Sequence, residues 1–128
     1  MKTASRRLFL AALPALALGC KAGHKFSQAE LDRARHALEA TLDSWKRGEP
    51  PEKLRSLPEP IQFAEEWPKQ GLKLLDYQVL GTEHTDMETM RFSVKLTVQD
   101  RRGKREERQV TYVVTLKSPI AVGRDPLF

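Results

Sequence analysis

Met90, Phe92, Val94, Leu96 and Val98 alternate without a break with Arg91, Ser93, Lys95, Thr97 and Gln99. A strand buried on one side is the conformation that sends every second side chain to the same face. Val110, Tyr112, Val114 and Leu116 repeat the pattern against Gln109, Thr111, Val113, Thr115 and Lys117. Arg101-Arg102-Gly103 lies between them and fits a three-residue hairpin loop, with Gly103 in the left-handed conformation and Asp100 opposite Lys104. Counting outward pairs Val94 with Val110, Phe92 with Tyr112 and Met90 with Val114. The apolar faces then coincide, and an odd slip of register would turn one of them to water. Any fold of this chain must cover that face.

The cover is supplied upstream. Ser27 and Glu30 have the spacing of a capping box, Phe26 can staple onto Leu31, and Leu31, Ala34, Leu38, Leu42 and Trp45 follow at helical spacing. Gly48 and Pro50-Pro51 end the helix. Trp45 belongs to the apolar stripe and is read as core, and His36, off the stripe, as solvated. Pro50, Pro51, Pro58, Pro60 and Pro68 exclude a long helix or a central strand from the next segment. Glu52 to Leu57 suits a turn or two with Leu54 and Leu57 inward, and Ile61, Phe63 and Trp67 cover one end of the core. Leu72 to Leu80 reads as a first strand. Leu75, Tyr77 and Val79 share one face and Leu72, Leu74 and Leu80 the other, so its orientation stays open. Gly81 to Asp86 reads as a polar loop and Ile120 to Val122 as a short edge strand. The expected class is α+β, one long N-terminal helix packed on an antiparallel meander of three to four strands.

Residues 1–19 do not belong to that domain. Lys2, Arg6 and Arg7 precede an apolar run from Leu8 to Leu18, too short for the roughly 20 residues that cross a bilayer as a helix. This is the pattern of a cleaved export signal. Ser5, Arg6, Arg7, Phe9 and Leu10 resemble the twin-arginine export motif, which implies export in the folded state; Ala11 departs from its last place. Ala17-Leu18-Gly19-Cys20 resembles a bacterial lipoprotein box, although Ala17 stands where leucine is usual. The resemblance implies acylation of Cys20 and a lipidated tether over 20–26, ahead of a single domain over 27–128. Cleavage after Ala17 would instead release a soluble chain with a free thiol. Cys20 is the one cysteine, so no internal disulfide forms. The formal charge of +5 loses Lys2, Arg6 and Arg7 with the signal and falls to about +2. That balance excludes a nucleic-acid reading on charge alone.

The order of elements from Ser27 to Val122 resembles the cystatin-like and ketosteroid-isomerase/SnoaL-like group, in which a curved sheet wraps a helix. For the isomerase-like members the resemblance implies an inward carboxylate as base and an inward tyrosine or acid holding an oxyanion. The Tyr112 hydroxyl is the one inward polar group of the long hairpin away from its tip. Asp76 and Tyr77 are neighbours on one strand and cannot both face the same cavity. The inhibitory glutamine-valine-glycine wedge of the cystatins is absent, since Gln78-Val79 is followed by Leu80 and Gln109-Val110 by Thr111. His24, His36 and His84 lack metal-ligand spacing, and no cofactor or metal site is read. No catalytic residue is assigned.

Arg101, Arg102, Lys104, Arg105 and Arg108 crowd the hairpin tip against Glu106 and Glu107. Such a knob can touch anionic headgroups or an acidic partner, and it also keeps a long ribbon soluble. The sequence therefore reads as a non-catalytic exported lipoprotein, anchored on the periplasmic or outer face of a bacterial membrane and binding or scaffolding an envelope protein. The alternative is a SnoaL-like small-ligand binder or enzyme.

Overall fold

A computed structural model describes residues 27–84 and 89–125. The expected export signal, lipidation at Cys20, tether and Phe26 staple, together with residues 85–88 of the expected loop and residues 126–128, lie outside the described residues.

Helix α1 spans Gln28–Lys46. Its capping box closes in both directions: the Glu30 N–H donates to Ser27 Oγ at 3.1 Å, and the Ser27 N–H to Glu30 Oε1 at 3.0 Å. Gly48 takes a φ of 74° after the last turn, a conformation that glycine adopts without strain. Ala34, Leu38, Leu42 and Trp45 are buried, as their spacing requires, and Ala37, Thr41 and Ser44 widen the buried stripe. A second helix, α2, is one turn over Glu52–Arg55 and buries Leu54. Leu57, expected inward, is 39% exposed, because α2 ends before the chain could carry that side chain round to the face of Leu54.

Five strands follow: β1 (Ile61–Ala64), β2 (Lys73–His84), β3 (Thr89–Gln99), β4 (Arg105–Thr115) and β5 (Ile120–Arg124). They form one sheet in the order β1-β5-β4-β3-β2. The hairpin register is the expected one, with Val94 against Val110, Phe92 against Tyr112 and Met90 against Val114. The α+β class stands, but the sheet is five-stranded and mixed, not an antiparallel meander of three to four. The cystatin-like or SnoaL-like assignment is not borne out.

The difference comes from two places. Ile61–Ala64 lies among prolines yet contains none, and it pairs parallel with β5, Ile61 against Ile120. A short strand at the edge of a sheet offers only one side for bonding, so flanking prolines do no harm. Strand β2 runs past Leu80 through His84, where a polar loop was expected, because pairing with β3 continues to His84 against Met90. Register shifts between Leu74 and Asp76 and between Val79 and Gly81 leave Leu75 and Leu80 as extra residues. Each bulge switches the side on which the following residues point. Leu74, Tyr77 and Val79 thereby join the core, while Leu80 is 46% exposed.

Helix α1 crosses one face of the sheet diagonally. Near its N-terminus Arg33 pairs with Glu59, just ahead of β1. Near its C-terminus Asp43 bonds Tyr77, the Trp45 indole donates to the Leu72 carbonyl, and Lys46 lies 3.6 Å from Asp76. The first end lies where β5 begins and the second toward the β3–β4 turn.

Candidate functional site

Tyr112 stands on the helix-facing side of β4 and has no exposed surface. Its hydroxyl donates to Glu65 Oε2 at 3.0 Å. Glu65 follows β1 directly, with a side chain 1% exposed. Its Oε1 accepts the backbone N–H groups of Glu66 at 2.9 Å and Trp67 at 3.4 Å. Arg124, opposite Tyr112 across β4 and β5, brings a guanidinium nitrogen to 3.6 Å from the same carboxylate. The Arg124 guanidinium also lies 3.7 Å from the centre of the Trp67 ring, and that of Arg108 lies 4.7 Å from it. Burial first, then the Glu65 carboxylate, push the Tyr112 phenol well above the ordinary tyrosine range, with Arg124 opposing.

This cluster is a latch. A buried carboxylate satisfied by a phenol, two amides and a guanidinium holds the Trp67 turn over the end of the core. With no exposed surface, Tyr112 is closed off beneath α1 and the turn that Glu65 begins. Asp76, the other candidate for isomerase-like chemistry, has a side chain 74% exposed and pairs with Lys46, so the two never meet. Tyr77 does point inward, but its hydroxyl is used on Asp43 Oδ1 at 2.8 Å. Burial, then Asp43, raise its pKa. Glu65 escaped the sequence reading because it is distant from Tyr112 in the chain. Its position between Phe63 and Trp67, in a segment bound to cover the core, was the available signal.

A groove of about 480 Å³ separates α1 from α2, with His36, Asp43, Arg47, Glu49 and Leu57 among its walls. Its charges are mutually engaged. Glu49 accepts from Ser44 Oγ at 3.0 Å and from Arg47 at 3.1 Å, and lies 3.4 Å from Lys53. The Arg47 hydrogen bond, followed by that of Ser44, pulls its pKa down to about 2. Among the described residues no three His, Cys, Asp or Glu side chains gather as a metal-ligand set, and no helix is long and apolar enough to cross a membrane.

The hairpin tip has the expected geometry. Gly103 has φ 88°, the Asp100 N–H donates to the Lys104 carbonyl at 3.0 Å, and Asp100 Oδ1 accepts the N–H groups of Arg102 and Lys104, each at 2.9 Å. Arg101, Arg102, Lys104 and Arg105 are exposed. Arg108 is not part of that exposed set: it is half-buried, 2.9 Å from Glu106 and over Trp67. Two other cations, Lys69 and Lys73, take its place. Lys73 is in register with Gln99, and Arg101 lies so close over Gly71 that a Cβ there would overlap its guanidinium. Gly71, at φ 87°, is flanked at two residues' distance by Lys69 and Lys73. Local sequence carried no sign of this juxtaposition, because only the β2–β3 register brings the Gly71 turn beside the hairpin. No protein-family model, no curated protein and no solved structure matches the chain.

Proposed function

We propose that the chain is an exported, lipid-anchored, non-catalytic domain of the bacterial envelope that binds or scaffolds a partner protein. The observation that carries the non-catalytic part is the closed Glu65–Tyr112 pair: the inward tyrosine is spent on a structural carboxylate under the Trp67 turn. The exposed basic tip supports a binding role. Anchoring and export rest on the resemblance of Ser5 to Leu10 and Ala17 to Cys20 to export and lipoprotein signals.

The test is an intact mass of the mature chain purified from the membranes and from the soluble envelope fraction of its host. A diacyl or triacyl mass on a chain beginning at Cys20, found with the membranes, is the expected result. An unmodified chain beginning at Leu18 in the soluble fraction would overturn the anchor. Turnover or saturable binding of small hydrophobic ligands, abolished by Tyr112→Phe with the fold intact, would overturn the non-catalytic reading.

A further inference from the structure

Lys69, Lys73, Arg101, Arg102, Lys104 and Arg105 form one exposed pole, built from the hairpin tip and the Gly71 turn, whose six cations outnumber the neighbouring carboxylates of Asp100, Glu106 and Glu107. Among the described residues none of these six side chains takes part in an ion pair. The cations elsewhere on the helical side, such as Arg33, Lys46 and Arg47, are paired with Glu59, Asp76 and Glu49. Arg101 lying over Gly71 joins the two turns into one surface, and three arginines give it planar forks suited to carboxylates. Among the described residues the exposed large hydrophobics, Leu57 and Leu80, both lie outside it.

Its position at the far end of α1 favours a protein over a lipid surface. Helix α1 begins at the end where Arg33 meets Glu59, and the pole lies beyond its other end, past the Lys46–Asp76 pair. A helix of 19 residues separates the two by about 28 Å along its axis. That exceeds the Debye length of about 8 Å at physiological ionic strength several-fold. A bilayer lying at the N-terminal end of α1 would not attract the pole across that distance.

We infer that this pole docks an acidic protein surface. The inference rests on the anchored, partner-binding reading and names the chemistry of the partner. The full mature chain, purified from its host, is reconstituted into phosphatidylcholine vesicles and into vesicles of equal parts phosphatidylcholine and phosphatidylglycerol. A fluorescent oligoglutamate peptide is titrated into both at physiological ionic strength. The expected result is binding of similar strength in the two. Lys69→Ala with Lys73→Ala should weaken it about tenfold, as should Arg101→Gln with Arg102→Gln, while Arg55→Ala leaves it unchanged.

Binding lost only in the phosphatidylglycerol vesicles would show the pole occupied by headgroups and overturn the inference. So would the absence of binding in both, or binding indifferent to Lys69 and Lys73. The intact mass of the same preparation reports the anchor separately. An unmodified mass would overturn the anchored reading, while the same titration in solution would still decide whether the pole takes acidic peptides.

Discussion

Truncating Glu65 to alanine removes the acceptor of a phenol that has no access to water and leaves Arg124 without its carboxylate. A buried hydroxyl deprived of its partner loses about 1 to 3 kcal/mol, and breaking a partly buried ion pair adds to that. Glu65→Ala is expected to destabilise the domain by about 3 kcal/mol in urea unfolding. Tyr112→Phe should cost about 1 kcal/mol, since Glu65 keeps its two amide donors and Arg124. The two changes share one contact, so their combined effect should fall short of the sum by about 1 kcal/mol. Strict additivity would mean that the 3.0 Å hydrogen bond contributes nothing. With Trp45 replaced by phenylalanine, Trp67 fluorescence separates loss of the latch from loss of the core. In Glu65→Ala it should shift toward the exposed value before global unfolding, because the Trp67 turn is held by the Glu65 carboxylate.

Elements that carry their own local code were legible, and elements that depend on a distant partner were not. The α1 cap and the β3–β4 hairpin are specified within a few residues, by Ser27 with Glu30 and by Gly103 between two alternating runs. Ser27→Ala accordingly should cost about 1 kcal/mol in thermal or urea unfolding. Strand β1 needs β5, far along the chain, to become a strand at all, and the facing of β2 depends on two bulges that no composition announces. The Glu65 latch was hidden for the same reason: its partners come from β4 and β5. At the junction of α1 and α2 the chemistry is again local. Arg47 and Ser44 lower the Glu49 pKa from 4.5 to about 2. The sign follows from that depression: the stabilisation is complete above the unfolded value and is lost as pH falls through the folded one. Glu49→Gln should therefore flatten the acid limb of the stability curve between those pH values and leave it unchanged in shape near neutrality. Urea midpoints measured across that range check it, and an acid limb identical to that of the parent would remove Glu49 from the account.

At the scale of the whole molecule both tyrosines report on closure, one from β2 and one from β4. Tyr77 joins β2 to α1 through Asp43, and Tyr112 joins β4 to the Trp67 turn through Glu65. The chain has two tyrosines, so phenolate absorbance has no other source. Burial is the first cause of the raised pKa in each case, with the partner carboxylate reinforcing it. A phenol whose folded pKa lies above the unfolded value of 10.0 contributes stability in full below that value, and loses it as pH rises toward the folded pKa. The native protein should thus show no phenolate absorbance as pH passes 10.0. Ionisation should then come in one cooperative alkaline step, coincident with the change in tryptophan fluorescence, because neither phenol ionises until α1 and the Trp67 turn leave the sheet. Tyr77→Phe should halve the amplitude of that step without splitting it. A phenolate signal at ordinary tyrosine pH, with fluorescence still native, would mean that one inner hydroxyl meets solvent in the folded chain. Its assignment to Tyr112 would open the latch and return a small-ligand site to consideration, whereas assignment to Tyr77 would loosen only the C-terminal end of α1.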